Sequence, residues 1–435
     1  MIVSSAFTGK TYAVLGLARS GLATVDTLVA SGARVVAWDN REEARQAVAS
    51  RAEIGDPMEI DLAGFDGIVV SPGVPLNRHP IAMRAKLAGV PVIGDIELFA
   101  LARPTLPPHK VVGITGTNGK STTTALIHHI VEQAGFPARM GGNIGLPILG
   151  QEPLEPNLHG MGIYVLELSS YQIDLTQSLD CDVAVLLNIT PDHLDRYDGF
   201  EGYVASKARL FAMQSDEHVA VITTQDAPSR AIARSCGAIE VGGADIDPTL
   251  QATWPTLQGP HNAQNAAVAI AVARALGLSD DDIFPALASY ASLPHRMQAV
   301  RAHKGVLYVN DSKATNPAST APALAAYPPV DGRPRVHWIL GGVAKSDNLD
   351  ECTPYFGNVA HAYTIGEAGH MFADLLRDTM AVDDSEMLSA AVRRAARVAQ
   401  PGDVVLLSPA CASFDQFRDF EARGDAFAAA VAALE

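Results

Sequence analysis

The sequence predicts an α/β protein of three domains, each a mainly parallel sheet wound by helices. Short β-branched or apolar runs alternate with Ala-rich helical segments along the whole chain, the pattern of parallel strands joined by crossover helices. At 435 residues the chain exceeds a single core, and about 150 residues per domain gives three. Two breaks divide it: Arg103-Pro104-Thr105-Leu106-Pro107-Pro108, read as a linker, and Ser292-Leu293-Pro294-His295-Arg296. The expected domains are therefore 1–103, 104–293 and 294–435. No fixed repeat period appears, which excludes a solenoid.

Composition narrows the class. Hydrophobic residues make up 48% and charged residues 18%, a globular balance; aromatics at 6% make the cores aliphatic. The net charge of −16 and pI near 5.2 exclude a nucleic-acid binder that works by a basic surface. Small anions are not excluded, because glycine loops and helix N-termini bind phosphate through backbone N–H groups. Cys181, Cys236, Cys352 and Cys411 have no zinc spacing and read as reduced thiols. The N-terminus lacks a basic segment before an apolar run, and the most apolar helical stretch, Ala263 to Leu278, is broken by Arg274. A soluble cytoplasmic protein without membrane insertion is expected, and a monomer, since no coiled coil or long apolar helix face is present.

The first piece reads as Rossmann-like. Strand Tyr12 to Leu15 runs into Gly16-Leu17-Ala18-Arg19-Ser20-Gly21 and a helix, a G-x-G-x-x-G pattern with Ala at its middle glycine. Asp39 ends the next strand, where an acidic residue meets a ribose in dinucleotide folds. A third strand ends in Ser71-Pro72-Gly73. The middle alanine puts a Cβ where backbone approaches pyrophosphate, so NAD binding and simple turn-shaping both stay open on these residues.

The second piece reads as P-loop ATPase-like. Strand Lys110 to Ile114 leads into Thr115-Gly116-Thr117-Asn118-Gly119-Lys120-Ser121-Thr122 and a helix. The loop can aim N–H groups at phosphate, with Lys120 on the terminal phosphates and a hydroxyl of Ser121 or Thr122 on Mg²⁺. The spacing departs from strict Walker A, with Ile114 where a glycine is called for. Glu167 ends the strand in YVLELSSYQ, and His193 follows VAVLLNIT; each suits a metal-ligand or water-positioning role at that sheet edge, or strand-end exposure and capping. Lys207 sits in the helical YVASKARLF, where a lone lysine is ordinarily solvated. Asn262 and Asn265 open an Ala-rich helix as caps or as partners of an adenine edge.

In order, GTNGKST, ELSSYQ, NITPDHLDRY with Lys207, HNAQN and LPHR resemble the ATP-dependent Mur ligases of peptidoglycan synthesis, a family that also includes folylpolyglutamate synthetase. The resemblance covers essentially the whole chain. GDIELF, NDSKATNP and SPACASFDQF look like the branch that adds D-glutamate, and the D-Y-x-H or D-Y-N type sequence of the sister ligases is absent. A dicarboxylate substrate wants cations and hydroxyls, and Lys313, Thr315, Lys345 and Ser413 lie just past predicted strand ends; Lys345 as a surface lysine and Ser413 as a helix cap are the plainer readings. Val343, in GGVAK, stands where many relatives carry an acidic residue.

The resemblance implies the remaining roles. The first domain holds a UDP-sugar rather than NAD, through Arg19, Ser20, Asn40, Arg41, Ser71 and Gly73, with Asn143 from the central domain. ATP is held by Gly116 to Thr122 and by Asn262, Asn265, Arg296 and Asp311, and D-glutamate also meets Phe420. Two Mg²⁺ ions are expected, on Ser121 and Glu167 and near His193, with Lys207 carrying a CO₂-derived carbamate. Catalysis falls to Lys120, His193 and Lys207. The implied substrates are UDP-N-acetylmuramoyl-L-alanine and D-glutamate, joined through an acyl phosphate. Another amide ligase of the family, an ATP-switched binding protein and a dehydrogenase are the competing readings.

Overall fold

The computed structural model describes residues 1–435. Its strands form three sheets of five, six and six strands, the expected fold class.

The first sheet contains β1 (Thr11–Leu15), β2 (Arg34–Trp38), β3 (Glu53–Ile54), β4 (Gly67–Val70) and β5 (Val92–Ile93), all parallel in the order β3-β2-β1-β4-β5. Helices α1 (Arg19–Ala30), α2 (Glu42–Gln46) and α3 (Ile81–Ala88) serve as crossovers. Strand order reverses between β1 and β4, so the loops after them leave the sheet side by side and form the crevice where such sheets bind ligands.

Helix α4 (Asp95–Ala102) joins this sheet to the next. Almost every side chain on it is buried, acidic ones included. Phe99 packs edge-on against Tyr164 with centroids 5.0 Å apart. Glu97 accepts from the N–H groups of Gln177 (2.6 Å) and Ser178 (2.9 Å) and from the Ser178 hydroxyl (2.7 Å). These bonds give the GDIELF segment a structural meaning: a buried carboxylate is tolerated where its oxygens are saturated. The expected linker at Arg103–Pro108 is likewise an ordered connection, with Arg103 Nη2 on Asp182 Oδ2 at 3.0 Å.

The second sheet holds β6 (His109–Thr115), β7 (Ala138–Gly142), β8 (Gly162–Glu167), β9 (Val183–Leu186), β10 (Val219–Thr223) and β11 (Ile239–Val241), all parallel in the order β11-β10-β9-β6-β8-β7. Its helices are α5 (Lys120–Gln133), α6 (Ser170–Asp174), α7 (Gly199–Ala212) and α8 (Ala227–Cys236). One apolar cluster runs from Ile2 through Phe99 to Ala233 and so serves both sheets. Packing accordingly divides the chain into two compact units, Met1–Asp245 with Asn265–Ala286, and Ile246–Gln264 with Leu287–Glu435.

After α9 (Pro248–Gln251), α10 (Pro260–Ala275) and α11 (Asp280–Ser289) comes the third sheet, whose strands all lie in the second unit. Its strands β12 (Gln298–His303), β13 (Val306–Asn310), β14 (Val336–Gly341), β15 (Val359–Ile365), β16 (Ala381–Glu386) and β17 (Val404–Leu407) lie in the order β12-β13-β17-β14-β15-β16. Only β12 runs antiparallel. Helices α12 (Pro317–Ala325), α13 (Gly369–Leu376), α14 (Leu388–Val398) and α15 (Phe420–Ala432) complete it. Because β17 inserts between β13 and β14, the loops after these three strands emerge as neighbours. No helix in the structure is long and apolar enough to cross a membrane.

Candidate functional site

The phosphate loop leaves β6 at Gly116 and enters α5 at Lys120. Its two glycines are steric requirements. Gly116 has φ +153° and a Cβ there would lie 2.9 Å from Leu187 Cβ; Gly119, at φ +85°, would put one 2.7 Å from Asn265 Oδ1. Lys120 Nζ donates to the carbonyls of Gly116 and Thr117, both at 2.9 Å. The loop is riveted from the end of β9: Thr117 N–H donates to Asn188 O (2.8 Å), Asn118 N–H to Asn188 Oδ1 (2.8 Å), and Asn188 Nδ2 to Asn118 O (3.1 Å). Ser121 is buried, and Thr123 Oγ1 donates to Asn265 Oδ1 at 3.2 Å. The α5 N-terminus thus presents a preorganised anion cradle.

Glu167 ends β8 in register with Ile114 of β6, only 2% exposed. Its Oε1 accepts from Asn143 Nδ2 at 3.0 Å, while its Oε2 is buried without a partner. An unsatisfied buried carboxylate oxygen is costly and calls for a cation. No group of three or more His, Cys, Asp or Glu is assembled to hold a metal, so an ion there would draw on Glu167, hydroxyl oxygen and phosphate.

Lys207 is the surprise of α7. It is 1% exposed; Nζ donates to Gly116 O at 2.9 Å and Thr115 Oγ1 at 3.3 Å, and lies 4.7 Å from the Tyr203 ring centroid. Burial first, then the charge of Lys120, push its amine well below the ordinary lysine value. His193 stands apart, about half exposed at φ 53°, with its ring 5.1 Å from Tyr171 and Nε2 3.5 Å from Asp192.

In the first sheet's crevice, Ser71 Oγ donates to Gly16 O at 2.9 Å, closing the two expected ligand loops on each other. Asp39 is not a vacant ribose acceptor. It receives Leu17 N–H (2.8 Å), Arg41 N–H (3.0 Å) and Arg41 Nε (3.2 Å); burial would raise its pKa, but these bonds outweigh it and hold the carboxyl low. Arg19 donates to Gly145 O, in the loop that carries Asn143. Ser20 lies in the first turn of α1, and Asn40, Arg41 and Gly73 are exposed at the crevice.

In the second unit, Asp311 accepts from Ser408 Oγ (2.8 Å) and Met297 N–H (3.2 Å), and burial pushes its carboxyl up to about 7. Arg296 is half-buried, and Asn262 lies buried in α10 with Nδ2 on Gln258 O at 3.1 Å. Lys313 Nζ sits 4.0 Å from the Phe420 ring centroid. Thr315 precedes Asn316, the N-cap of α12, and Lys345 is exposed. Ser413 is buried and does not cap α15; Asp419 does. Val343 and Ala412 exchange both backbone bonds at 2.9 Å, so the GGVAK and SPACAS loops are tied whatever side chain stands at 343.

Sequence reasoning missed the residue beneath these loops. Arg423 is 1% exposed and donates to Ser312 Oγ (3.0 Å), Ser312 O (2.9 Å), Cys411 O (3.0 Å), Ala412 O (3.2 Å) and Gly341 O (3.4 Å). One guanidinium thus joins the loops after β13, β14 and β17, and burial lowers its pKa to about 10.

Comparison with known proteins agrees along the chain. Residues 10–94 match the model of the Mur ligase MurD-like N-terminal domain, 114–245 the Mur ligase middle domain and 295–411 the Mur ligase glutamate ligase domain. The chain is similar to UDP-N-acetylmuramoylalanine--D-glutamate ligases from Novosphingobium aromaticivorans (66% identical, covering 100% of this chain and 97% of the relative), Sphingopyxis alaskensis (65%, covering 100% of each) and Zymomonas mobilis (56%, covering 100% of each). Among solved structures, a UDP-N-acetylmuramoylalanyl-D-glutamyl-2,6-diaminopimelate--D-alanyl-D-alanyl ligase from Acinetobacter baumannii shares the fold, at TM-score 0.60 and 17% identity over 99% of this chain and 92% of that one.

Proposed function

This chain belongs to the Mur ligase family, and from that premise we propose that it is an ATP-dependent ligase joining D-glutamate to UDP-N-acetylmuramoyl-L-alanine in peptidoglycan precursor synthesis. The observation that carries the acceptor's identity is full-length identity of 56–66% to relatives named for that reaction. Within it, 1–103 takes the UDP-sugar, 104–293 ATP and 294–435 the amino acid. The chain acts as a monomer in the cytoplasm.

The alanyl carboxylate attacks the γ-phosphate of ATP, ADP departs, and an acyl phosphate remains. The D-glutamate amine then attacks the acyl carbon, and phosphate leaves as the amide forms. Two anions must meet in the first step, so charge compensation is the main demand on the protein. Lys120 and the N–H groups from Gly116 to Thr122 hold the phosphates; Asn262, Asn265, Arg296 and Asp311 hold the rest of the nucleotide. The orphaned oxygen of Glu167 with the hydroxyl of Ser121 would hold one Mg²⁺, and His193 with a modified Lys207 would hold a second; when bound, Mg²⁺ neutralises charge on the transferring phosphoryl group. Because burial favours its neutral amine, Lys207 Nζ can add to CO₂, forming an N–C bond and releasing a proton to leave a carbamate. That converts a cation into an oxygen ligand. Lys313, Thr315, Lys345, Ser413 and Phe420 receive D-glutamate, while Arg19, Ser20, Asn40, Arg41, Ser71, Gly73 and Asn143 receive the UDP-sugar.

The test is release of phosphate from ATP in the presence of UDP-N-acetylmuramoyl-L-alanine and D-glutamate together. Each omission should abolish it, and L-glutamate, L-lysine or meso-diaminopimelate should not replace D-glutamate. Turnover with one of those instead would reassign the acceptor.

A further inference from the structure

The segment 192–197, which carries His193, borders a cavity of about 550 Å³ lined by Pro72, Val74, Tyr171, Asp174, Arg196 and Tyr197 among others. Its bonds across to the first sheet's loops converge on one stretch of chain. Arg196 Nη2 donates to Val74 O at 3.0 Å and Pro72 O at 3.4 Å. The Asp195 carbonyl accepts from Asn77 Nδ2 at 3.0 Å and Arg78 Nη2 at 3.4 Å. All these partners lie within residues 72–78, just after Ser71, in the loop assigned above to the UDP-sugar. The same guanidinium lies 4.2 Å over the Tyr171 ring, whose centroid is 5.1 Å from that of His193. Arg196 N–H also donates to His193 O at 2.9 Å, closing the turn that presents the histidine. Only two residues before Asp192, Thr190 N–H donates to Thr117 Oγ1 of the phosphate loop at 3.0 Å.

We propose that Arg196 is a positioning residue that couples the UDP-sugar loop to the ATP site. Closure of the 71–74 loop on the UDP-sugar fixes the two carbonyls that Arg196 grips, and the planar guanidinium passes that constraint through Tyr171 and the 193–196 turn to His193. Arginine suits the task because its planar guanidinium stacks on the Tyr171 ring while Nη2 reaches both carbonyls; a lysine ammonium has no plane to stack. Linkage then requires that nucleotide tighten the UDP-substrate and the UDP-substrate tighten nucleotide by the same factor. The inference rests on the substrate assignment of the preceding subsection.

Calorimetry on the full chain tests it, by measuring the affinity for UDP-N-acetylmuramoyl-L-alanine with and without Mg²⁺ and the β,γ-imido analogue of ATP. In the wild type the analogue should tighten binding by about fivefold or more. Arg196→Ala and Arg196→Lys should bring that ratio to within about twofold of one, with affinity for the analogue alone unchanged. Should Arg196→Ala fail to fold, Arg196→Lys carries the measurement. A wild-type ratio of one, a ratio preserved in the variants, or equal weakening with and without nucleotide overturns the coupling. Wild-type protein that releases no phosphate with both substrates refutes the underlying assignment, whereas an active enzyme whose ratio ignores Arg196 refutes the coupling alone.

Discussion

With 1% of its surface exposed and Lys120 acting on it, Lys207 pays for its charge twice, in lost hydration and in repulsion. An exposed lysine is mostly neutral only above about pH 10.4; burial and the charge of Lys120 bring this one to that state at lower pH, which favours its carbamate. In ¹³C-bicarbonate the wild type should show a carbamate carbon resonance that fades as pH falls and Nζ is protonated. Lys207→Arg should lack the signal and lose activity by about a hundredfold or more, the scale of a lost charge-stabilising group; full activity in that variant would remove the carbamate from the mechanism. Asp311 carries the opposite titration. Its folded pKa of about 7 lies above an unfolded value of about 3.9, so between those limits the unfolded chain gives up the proton first and stability falls as pH rises. Ligand-free Asp311→Asn should lack that slope, with the difference from wild type levelling off above pH 7 at no more than ~4 kcal/mol. Parallel denaturant midpoints for the two proteins across pH 5 to 8 would contradict it. The contrast marks what a sequence holds at this scale: Gly116 to Thr122 are contiguous and declare themselves, whereas the burial of Lys207 and Asp311 depends on chain that arrives from elsewhere in the fold.

The same division holds for whole elements. Eleven strands are visible as apolar runs, and the six that are not, β3, β5, β7, β11, β12 and β16, are the two edges of each of the three sheets. A central parallel strand is covered on both faces and must be apolar throughout, while an edge strand is free to be polar or short; β16 reads AVDDSE and β3 is two residues long. Ser71, Gly116 to Thr122, Glu167, His193, Lys313, Thr315, Lys345 and Ser413 were legible because they end or follow central strands. Asn188 and Arg423 were not, since their work is done on backbone atoms of distant loops and any sequence can offer a carbonyl. Asn188 makes the sharper test. Its side chain supplies two bonds to Asn118, at 2.8 and 3.1 Å, and at about 1 kcal/mol apiece their loss in Asn188→Ala should weaken ATP binding by roughly tenfold or more. UDP-substrate affinity in the absence of nucleotide should hold. Unchanged KM for ATP would show that the loop keeps its shape without this rivet.

At the scale of the molecule, a net charge of −16 meets ligands that are all anions, so binding has to be local, through loop N–H groups, a few lysines and metal. Locality has a thermodynamic signature because the two compact units have separate apolar clusters, one spanning the first two sheets and others confined to the third. Such a chain is expected to unfold in more than one calorimetric transition, and each ligand stabilises only the unit that binds it. At a hundred times its dissociation constant a ligand contributes about 2.7 kcal/mol to that unit. UDP-N-acetylmuramoyl-L-alanine should therefore raise the transition of the first unit, and D-glutamate that of the second. The Mg²⁺ complex of the ATP analogue distinguishes the nucleotide assignments. If Asn262, Arg296 and Asp311 contribute as proposed, it should raise both transitions; a shift confined to the first unit would leave the phosphate loop and Asn265 as its ligands and withdraw the other three.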